Sequence, residues 1–275
     1  MRNSGKEIKI IVKNLTICYN DEGPDQSPVI IFIHGFPFNR SMWHFQTEAL
    51  KENYRVIAYD IRGFGNSDTG DEDFSIELFV YDLLNLMDAL KIGKAMLCGL
   101  SMGGYIALNA IVRFPERFSA LILCDTHCIA DSPEAKETRL KNIENIREKG
   151  IEKYAGDTLK KLFAEESFTT NTKGIAAVEE MILKTKIQSL YLTLHGLSER
   201  KETCSRLSEI TVPVLILVGK EDIITPPDAA RFMHGKIKQS VLHIIDRAGH
   251  VSNIENPGEF NTQLIRFVSS VSSAV

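Results

Sequence analysis

Met96-Leu97-Cys98-Gly99-Leu100-Ser101-Met102-Gly103-Gly104 begins as an apolar run, breaks at a Gly-x-Ser-x-Gly pattern and passes into a helical pattern. Upstream, Lys94 to Leu100 reads as a buried strand, because its apolar residues are nearly continuous after the helix-breaking Gly93. Downstream, Tyr105, Ile106, Leu108, Asn109 and Val112 fall at helical spacing, and Phe114-Pro115 closes the segment. Strand, tight turn and helix in this order are the context of a nucleophile elbow, in which a serine occupies a strained turn and the residues two positions to either side must lack side chains. Gly99 and Gly103 meet that need. The turn lifts the Ser101 hydroxyl clear of the sheet, at a helix N-terminus whose free N–H groups favour negative charge.

A serine hydroxyl is a poor nucleophile near neutral pH, so the elbow calls for a base and for a carboxylate to orient it. His250 is the candidate base: it follows the alternating run Val241-Leu242-His243-Ile244-Ile245, within Arg247-Ala248-Gly249-His250. Asp222 is the candidate acid, set between the apolar run Val214 to Gly219 and the turn residues Thr225-Pro226-Pro227. Asp125, at another strand's end, is the second carboxylate to consider. In open parallel sheets ligands bind at the carboxyl edge, so these strand ends are expected to converge on one crevice. Val29-Ile30-Ile31-Phe32-Ile33 leads into His34-Gly35-Phe36-Pro37, and Pro37 has no N–H. The fold that the chain order Ser101, Asp222, His250 resembles places one oxyanion donor on the loop after an early strand and the other directly after the nucleophile, so the expected donors are the backbone amides of Phe36 and Met102. Phe38, Trp43 and His127 are expected around the substrate pocket, and Arg62 is the candidate cation for a substrate carboxylate.

With 275 residues, 44% hydrophobic and 25% charged, the chain has the makeup of a soluble globular protein with one catalytic domain. A formal net charge of −4 gives no electrostatic reason to expect nucleic acid or an anionic membrane as partner. Met1 to Asn14 lacks the apolar core of a signal peptide and no later stretch is a long unbroken apolar run, so a cytoplasmic location is expected. The cysteines, Cys18, Cys98, Cys124, Cys128 and Cys204, are odd in number and include no Cys-x-x-Cys pair. Neither a disulfide framework nor a zinc site is expected, and Cys98 and Cys124 read as packing residues of central strands. His34 has no second ligand at metal-binding spacing, so no metal is expected there.

Strands are predicted near Ile8 to Val12, Leu15 to Asn20, Val29 to Ile33, Arg55 to Tyr59, Ala95 to Cys98, Ala120 to Cys124, Val214 to Val218 and Val241 to Ile245. The first two have a connection too short for a helical crossover and should form an antiparallel hairpin at one edge. Later strands alternate with helical patterns such as Ser75 to Leu90, which implies a mostly parallel sheet covered on both faces. Residues 131–208 break the rhythm: they are charge-rich and helix-favouring, without a convincing strand. They are expected to form a helical cap inserted into a core domain made of residues 1–130 and 209–275. Two apolar stripes, Leu159, Leu162 and Phe163, then Val178, Met181, Ile182 and Thr185, are suited to rest on the sheet while leaving a pocket above Ser101.

From about Glu7 to the C-terminal helix the chain resembles the α/β-hydrolase superfamily. The resemblance is carried by His34-Gly35-Phe36-Pro37, Asp60-Ile61-Arg62-Gly63-Phe64-Gly65-Asn66-Ser67-Asp68, the elbow, Gly219-Lys220-Glu221-Asp222 and Ala248-Gly249-His250, and by the chain order Ser101, Asp222, His250. Cys98 to Gly104 and Leu123-Cys124-Asp125-Thr126 are similar to 3-oxoadipate enol-lactonases and related small esterases. The resemblance implies an α/β-hydrolase fold with an eight-stranded sheet and a helical cap, and a serine esterase or lactonase acting on a small molecule through an acyl-enzyme without a cofactor. Serine at the elbow disfavours the dehalogenase and epoxide hydrolase branches. Carbon–carbon bond hydrolases, cofactor-free haloperoxidase or perhydrolase relatives, and a hydrolase-fold ligand receptor stay open.

Overall fold

The apolar runs become strands of a single sheet. The computed structural model describes residues 4–273; the first three residues of the Met1 to Asn14 segment lie outside them. The strands are β1 (Gly5–Val12), β2 (Leu15–Glu22), β3 (Val29–Ile33), β4 (Arg55–Tyr59), β5 (Ala95–Leu100), β6 (Phe118–Cys124), β7 (Val214–Gly219) and β8 (Ser240–Ile245). Every residue of β4, β5 and β7 is buried, which is why these segments read as continuous rather than alternating apolar runs. The edge strand β1 instead exposes four of its positions.

The strand order is β1-β2-β4-β3-β5-β6-β7-β8. β1 pairs antiparallel with β2, and β2 antiparallel with β4; all other neighbours are parallel. The chain moves outward from β3 to β4 and then returns to place β5 on the other side of β3. That reversal is a topological switch point, and it opens a crevice beyond the carboxyl ends of β3 and β5. The Gly35-Phe36 loop and Ser101 follow directly from those two ends.

Helices cover both faces. They are α1 (His44–Leu50), α2 (Ile76–Ala89), α3 (Met102–Arg113), α4 (Pro133–Leu162), α5 (Ser167–Thr170), α6 (Thr172–Leu183), α7 (Ile187–Ser198), α8 (Pro227–Lys236), α9 (Ser252–Glu255) and α10 (Pro257–Ser272). Residues of α2, α3 and α8 build the core on one side, whereas α1 and α10 build it on the other. Ser75 caps α2 by accepting the Leu78 N–H at 3.0 Å, and Ser132 caps α4 through Ala135, each a bond of a kind worth about 1 kcal/mol.

Between β6 and β7 the chain makes a helical excursion through α4 to α7. Both predicted stripes are buried: Leu159, Leu162 and Phe163, with Val178, Met181 and Ile182, join the core that contains Phe38, Trp43, Val251 and Ile254. Thr185 adds a hydrogen bond from its hydroxyl to the Pro37 carbonyl at 3.0 Å. α4 is broken at Gly150, whose backbone is left-handed at φ 81°.

Two of the cysteines are bonded, contrary to the expectation from their number and spacing. Cys128, just after β6, forms a disulfide with Cys204, ten residues before β7, across a sequence separation of 76. The two residues are remote in the chain and meet only because the excursion leaves and returns at one place. Cys98 and Cys124 are free, buried and packed against each other in adjacent strands, as expected of small apolar side chains. No helix among the described residues is long and apolar enough to cross a membrane.

Candidate active site

Ser101 lies between β5 and α3 with φ 53° and ψ −113°, a backbone conformation that costs a non-glycine residue energy. Tertiary contacts enforce it. The Ser101 N–H donates to the Cys124 carbonyl at 3.0 Å, and the Ser101 carbonyl accepts from Gly104 N–H and the Thr126 hydroxyl at 2.9 and 2.8 Å. A Cβ on Gly99 would run into the Gly103 carbonyl, and one on Gly103 into the Ile33 carbonyl. The glycine requirement read from the motif is thus a backbone-to-backbone approach between the end of β5, the first turn of α3 and the end of β3.

Asp222 follows β7 and is buried. Its Oδ1 accepts the N–H groups of Ile224 and Thr225 at 2.8 and 2.9 Å, while Oδ2 accepts from the Thr225 hydroxyl at 2.6 Å and faces His250 Nδ1 at 2.8 Å. Burial alone would raise the carboxyl's pKa. The interaction with His250 and this set of hydrogen bonds outweigh it and hold the group below the usual aspartate value. With Nδ1–H donating to Asp222, the neutral imidazole keeps Nε2 as an acceptor.

Asp125 takes a different position. Its Oδ1 accepts from Gly219 N–H at 2.8 Å and its Oδ2 from the Ser252 hydroxyl at 2.6 Å, so it braces the end of β7 and the start of α9. Burial and the nearby Asp222 charge push its pKa well above the ordinary value.

Ser101, Met102, Phe36 and His250 line one cavity of about 300 Å³. Among the described residues no hydrogen bond joins the Ser101 hydroxyl to His250; catalytic bonds of this kind commonly tighten only when substrate is bound. Met102 is the first residue of α3, so its N–H lies ahead of the helix's first internal acceptor. Tyr105, Tyr154, Leu162, Leu194, Leu197 and Ile224 supply apolar wall. α4 also lines the cavity with polar residues: Arg139, Asn142, Asn145, Lys149, Lys153, Asp157, Thr158 and Lys161. The three- and four-residue spacing of this stripe is visible in the sequence, but the side it faces follows from how α4 docks.

Four expected pocket residues lie elsewhere. Phe38 and Trp43 are fully buried, Trp43 stacked on Phe32 with ring centroids 4.7 Å apart, so both are core residues. His127 bonds Tyr105 through Nε2 at 3.1 Å and lines a separate small void; burial and the nearby Arg200 charge lower its pKa to about 4. Arg62 does not reach the cavity either. It grips Asp82 through Nε and Nη2 at 2.5 and 2.7 Å and Glu72 through Nη1 at 2.5 Å. Its neighbours Asp60 to Asp68 act as a structural turn, in which Asp60 accepts from the Arg40 and Asn66 amides. His34 is structural as well: Nδ1 donates to the Gly35 carbonyl at 2.8 Å and Nε2 accepts the Ile61 N–H at 3.0 Å. Among the described residues no cluster of three metal-ligating side chains occurs.

A family profile described as alpha/beta hydrolase fold matches residues 28–257. The chain is 27% identical over 252 residues to 3-oxoadipate enol-lactonase 2 of Acinetobacter baylyi, covering 92% of each. Among solved structures, a thermophilic esterase from Thermogutta terrifontis superposes with a TM-score of 0.92 at 33% identity, covering 98% of this chain and 100% of its own. The enol-lactonase from Burkholderia xenovorans superposes with a TM-score of 0.89 at 26% identity, covering 95% and 100%.

Proposed function

The chain belongs to the alpha/beta hydrolase fold family, and on that premise we propose that it is a serine hydrolase that cleaves a small carboxylic ester or lactone through an acyl-enzyme. The observation that carries the proposal is the buried Asp222–His250 pair, 2.8 Å apart, set at the same cavity as a serine held on a strained turn. In this reading Ser101 Oγ attacks the carbonyl carbon while His250 Nε2 takes its proton, and Asp222 stabilises the imidazolium. The oxyanion is held by the amides of Met102 and Phe36, each worth about 3 kcal/mol in the transition state. The imidazolium then protonates the leaving oxygen as the carbon–oxygen bond breaks. His250 next deprotonates a water, which attacks the acyl carbon; as the bond from that carbon to Ser101 Oγ breaks, the imidazolium returns its proton to Oγ and the acid product leaves.

Residues 131–208 act as the cap over this cavity, on the core formed by residues 1–130 and 209–275. The relatives described as enol-lactonase and esterase support the reaction class. A substrate bearing a carboxylate is favoured by the cationic residues that α4 contributes to the cavity lining, Lys149 and Lys161 together with Arg139, which is paired with Asp131, and Lys153, which is paired with Asp157. Intact mass after incubation with a fluorophosphonate, with the modified peptide mapped and Ser101→Ala as control, tests the nucleophile. Stoichiometric labelling at Ser101 together with turnover of short esters or lactones is the expected result. A folded protein that stays unlabelled and turns over none of them refutes the reading.

A further inference from the structure

His250 is anchored in the helical excursion as well as in the sheet. Its N–H donates to the Leu162 carbonyl at 2.7 Å, at the point where the chain leaves α4. The contact is backbone against backbone: a Cβ on Gly249 would meet the Leu162 carbonyl oxygen at 2.7 Å and the Ala164 nitrogen at 2.9 Å. A second link runs through Glu255, the last residue of α9, whose two carboxylate oxygens serve opposite partners. Oε2 accepts the Gly249 N–H at 2.6 Å, and Oε1 accepts the Ala164 N–H at 2.8 Å and the Ser167 hydroxyl at 2.7 Å. Burial raises this carboxyl's pKa, against the effect of the three donors.

We infer that Glu255 is a positioning residue for His250, its carboxylate clamping the amide of Gly249, the residue before His250, to the chain that leaves α4. The inference rests on the reading of His250 as the base. Leu162 also lines the cavity, so the segment that fixes the imidazole is part of the wall that substrate touches. The side chain introduced by Glu255→Gln has one acceptor oxygen in place of two. It satisfies Ala164 and Ser167, and its NH2 group then opposes the Gly249 N–H and frees the loop that carries His250.

The test compares wild type with Glu255→Gln on one ester, with fluorophosphonate labelling of Ser101 followed in time and folding checked by circular dichroism. The expected variant is folded at the assay temperature, with kcat lowered about 10- to 100-fold, labelling slowed in parallel and KM within about threefold of wild type. If Glu255→Gln does not fold, Glu255→Asp carries the same comparison: it keeps the charge but is one methylene too short to reach both partners, and the same split between kcat and KM is expected. A folded variant with kcat and labelling rate within about twofold of wild type overturns the inference, as does a raised KM at unchanged kcat, which would assign Glu255 to the cavity wall alone. Failure of the functional reading is distinguishable because it shows in the wild type itself: no labelling and no turnover overturn both.

Discussion

Replacing Asp222 by asparagine does more than remove a charge. Oδ1 is committed to two backbone donors, Ile224 and Thr225, so the side-chain amide introduced by Asp222→Asn is forced to keep its oxygen there. Its NH2 group then occupies the site of Oδ2, 2.8 Å from His250 Nδ1, and donates to that nitrogen. The imidazole is driven to the tautomer protonated at Nε2, which has no lone pair for the Ser101 proton. A wrong tautomer in this role costs about 10⁴-fold in turnover, or about 5 kcal/mol of barrier. Asp125 touches Gly219 and Ser252 and makes no hydrogen bond to His250, and asparagine reproduces its contacts with an acceptor toward Gly219 and a donor toward Ser252. Asp125→Asn is therefore expected within about threefold of wild type. The assay is initial-rate hydrolysis of a chromogenic ester alongside the rate of fluorophosphonate labelling, on variants shown to be folded. An Asp222→Asn protein that keeps more than about a tenth of wild-type kcat, or an Asp125→Asn protein that loses more than its counterpart, rules out Asp222 as the partner of His250.

Asp125→Asn also has a pH signature. Burial raises the folded-state pKa of Asp125 above its unfolded value, so its contribution to stability is complete below about pH 4 and is lost as pH rises through the folded value; urea midpoints should show the asparagine variant gaining on wild type as pH increases. Cys128→Ser is expected to lower stability by about 4 kcal/mol from the chain entropy of a 76-residue separation, measured by denaturant unfolding, and a change below about 1 kcal/mol would argue against a bonded pair. Arg62→Ala leaves Asp82 buried without its partner and should destabilise the protein by about 3–5 kcal/mol, while the preference between anionic and neutral esters stays as in wild type. Lys161→Gln, by contrast, is expected to lower kcat/KM for a carboxylate-bearing ester by about threefold at low salt and to leave the neutral ester unchanged.

The elements legible in the sequence are those whose pattern is set locally. Val29–Ile33 and Arg55–Tyr59 agree with the sequence reading to the residue, because parallel strands buried on both faces stand out as unbroken apolar runs between turn residues. The reading of β6 falls two residues short, since the half-buried Ser119 interrupts an otherwise apolar run. The elbow, Asp222 and His250 are legible because the turn that carries each is written beside it. Features that depend on which side of an element meets which neighbour are not. Phe38 and Trp43 follow the Phe36 loop closely in the chain, yet both are buried in the core that contains Phe32, with Trp43 stacked on that ring. Arg62 finds Asp82 twenty residues on, across a contact made only when α2 docks. Lys149, Lys153 and Lys161 share one helical stripe in the sequence, but only the docking of α4, broken at Gly150, turns it toward Ser101.

The Cα atoms of Cys128 and Cys204 are 4.9 Å apart, and the Thr203 N–H donates to the Cys128 carbonyl at 2.8 Å beside them. To the sheet, the whole segment between these cysteines is equivalent to a tight loop, because its two ends meet at one doorway. A graft of foreign helices onto that doorway is expected to leave the pairing of β6 with β7 in place. Exchange of this one segment is then a route by which the cavity wall can diverge, provided the replacement refills the core now occupied by Leu159, Leu162, Phe163, Val178, Met181 and Ile182. Any transplanted module must again present a carbonyl where Leu162 stands and donors where Ala164 and Ser167 stand, or the histidine loop loses its support.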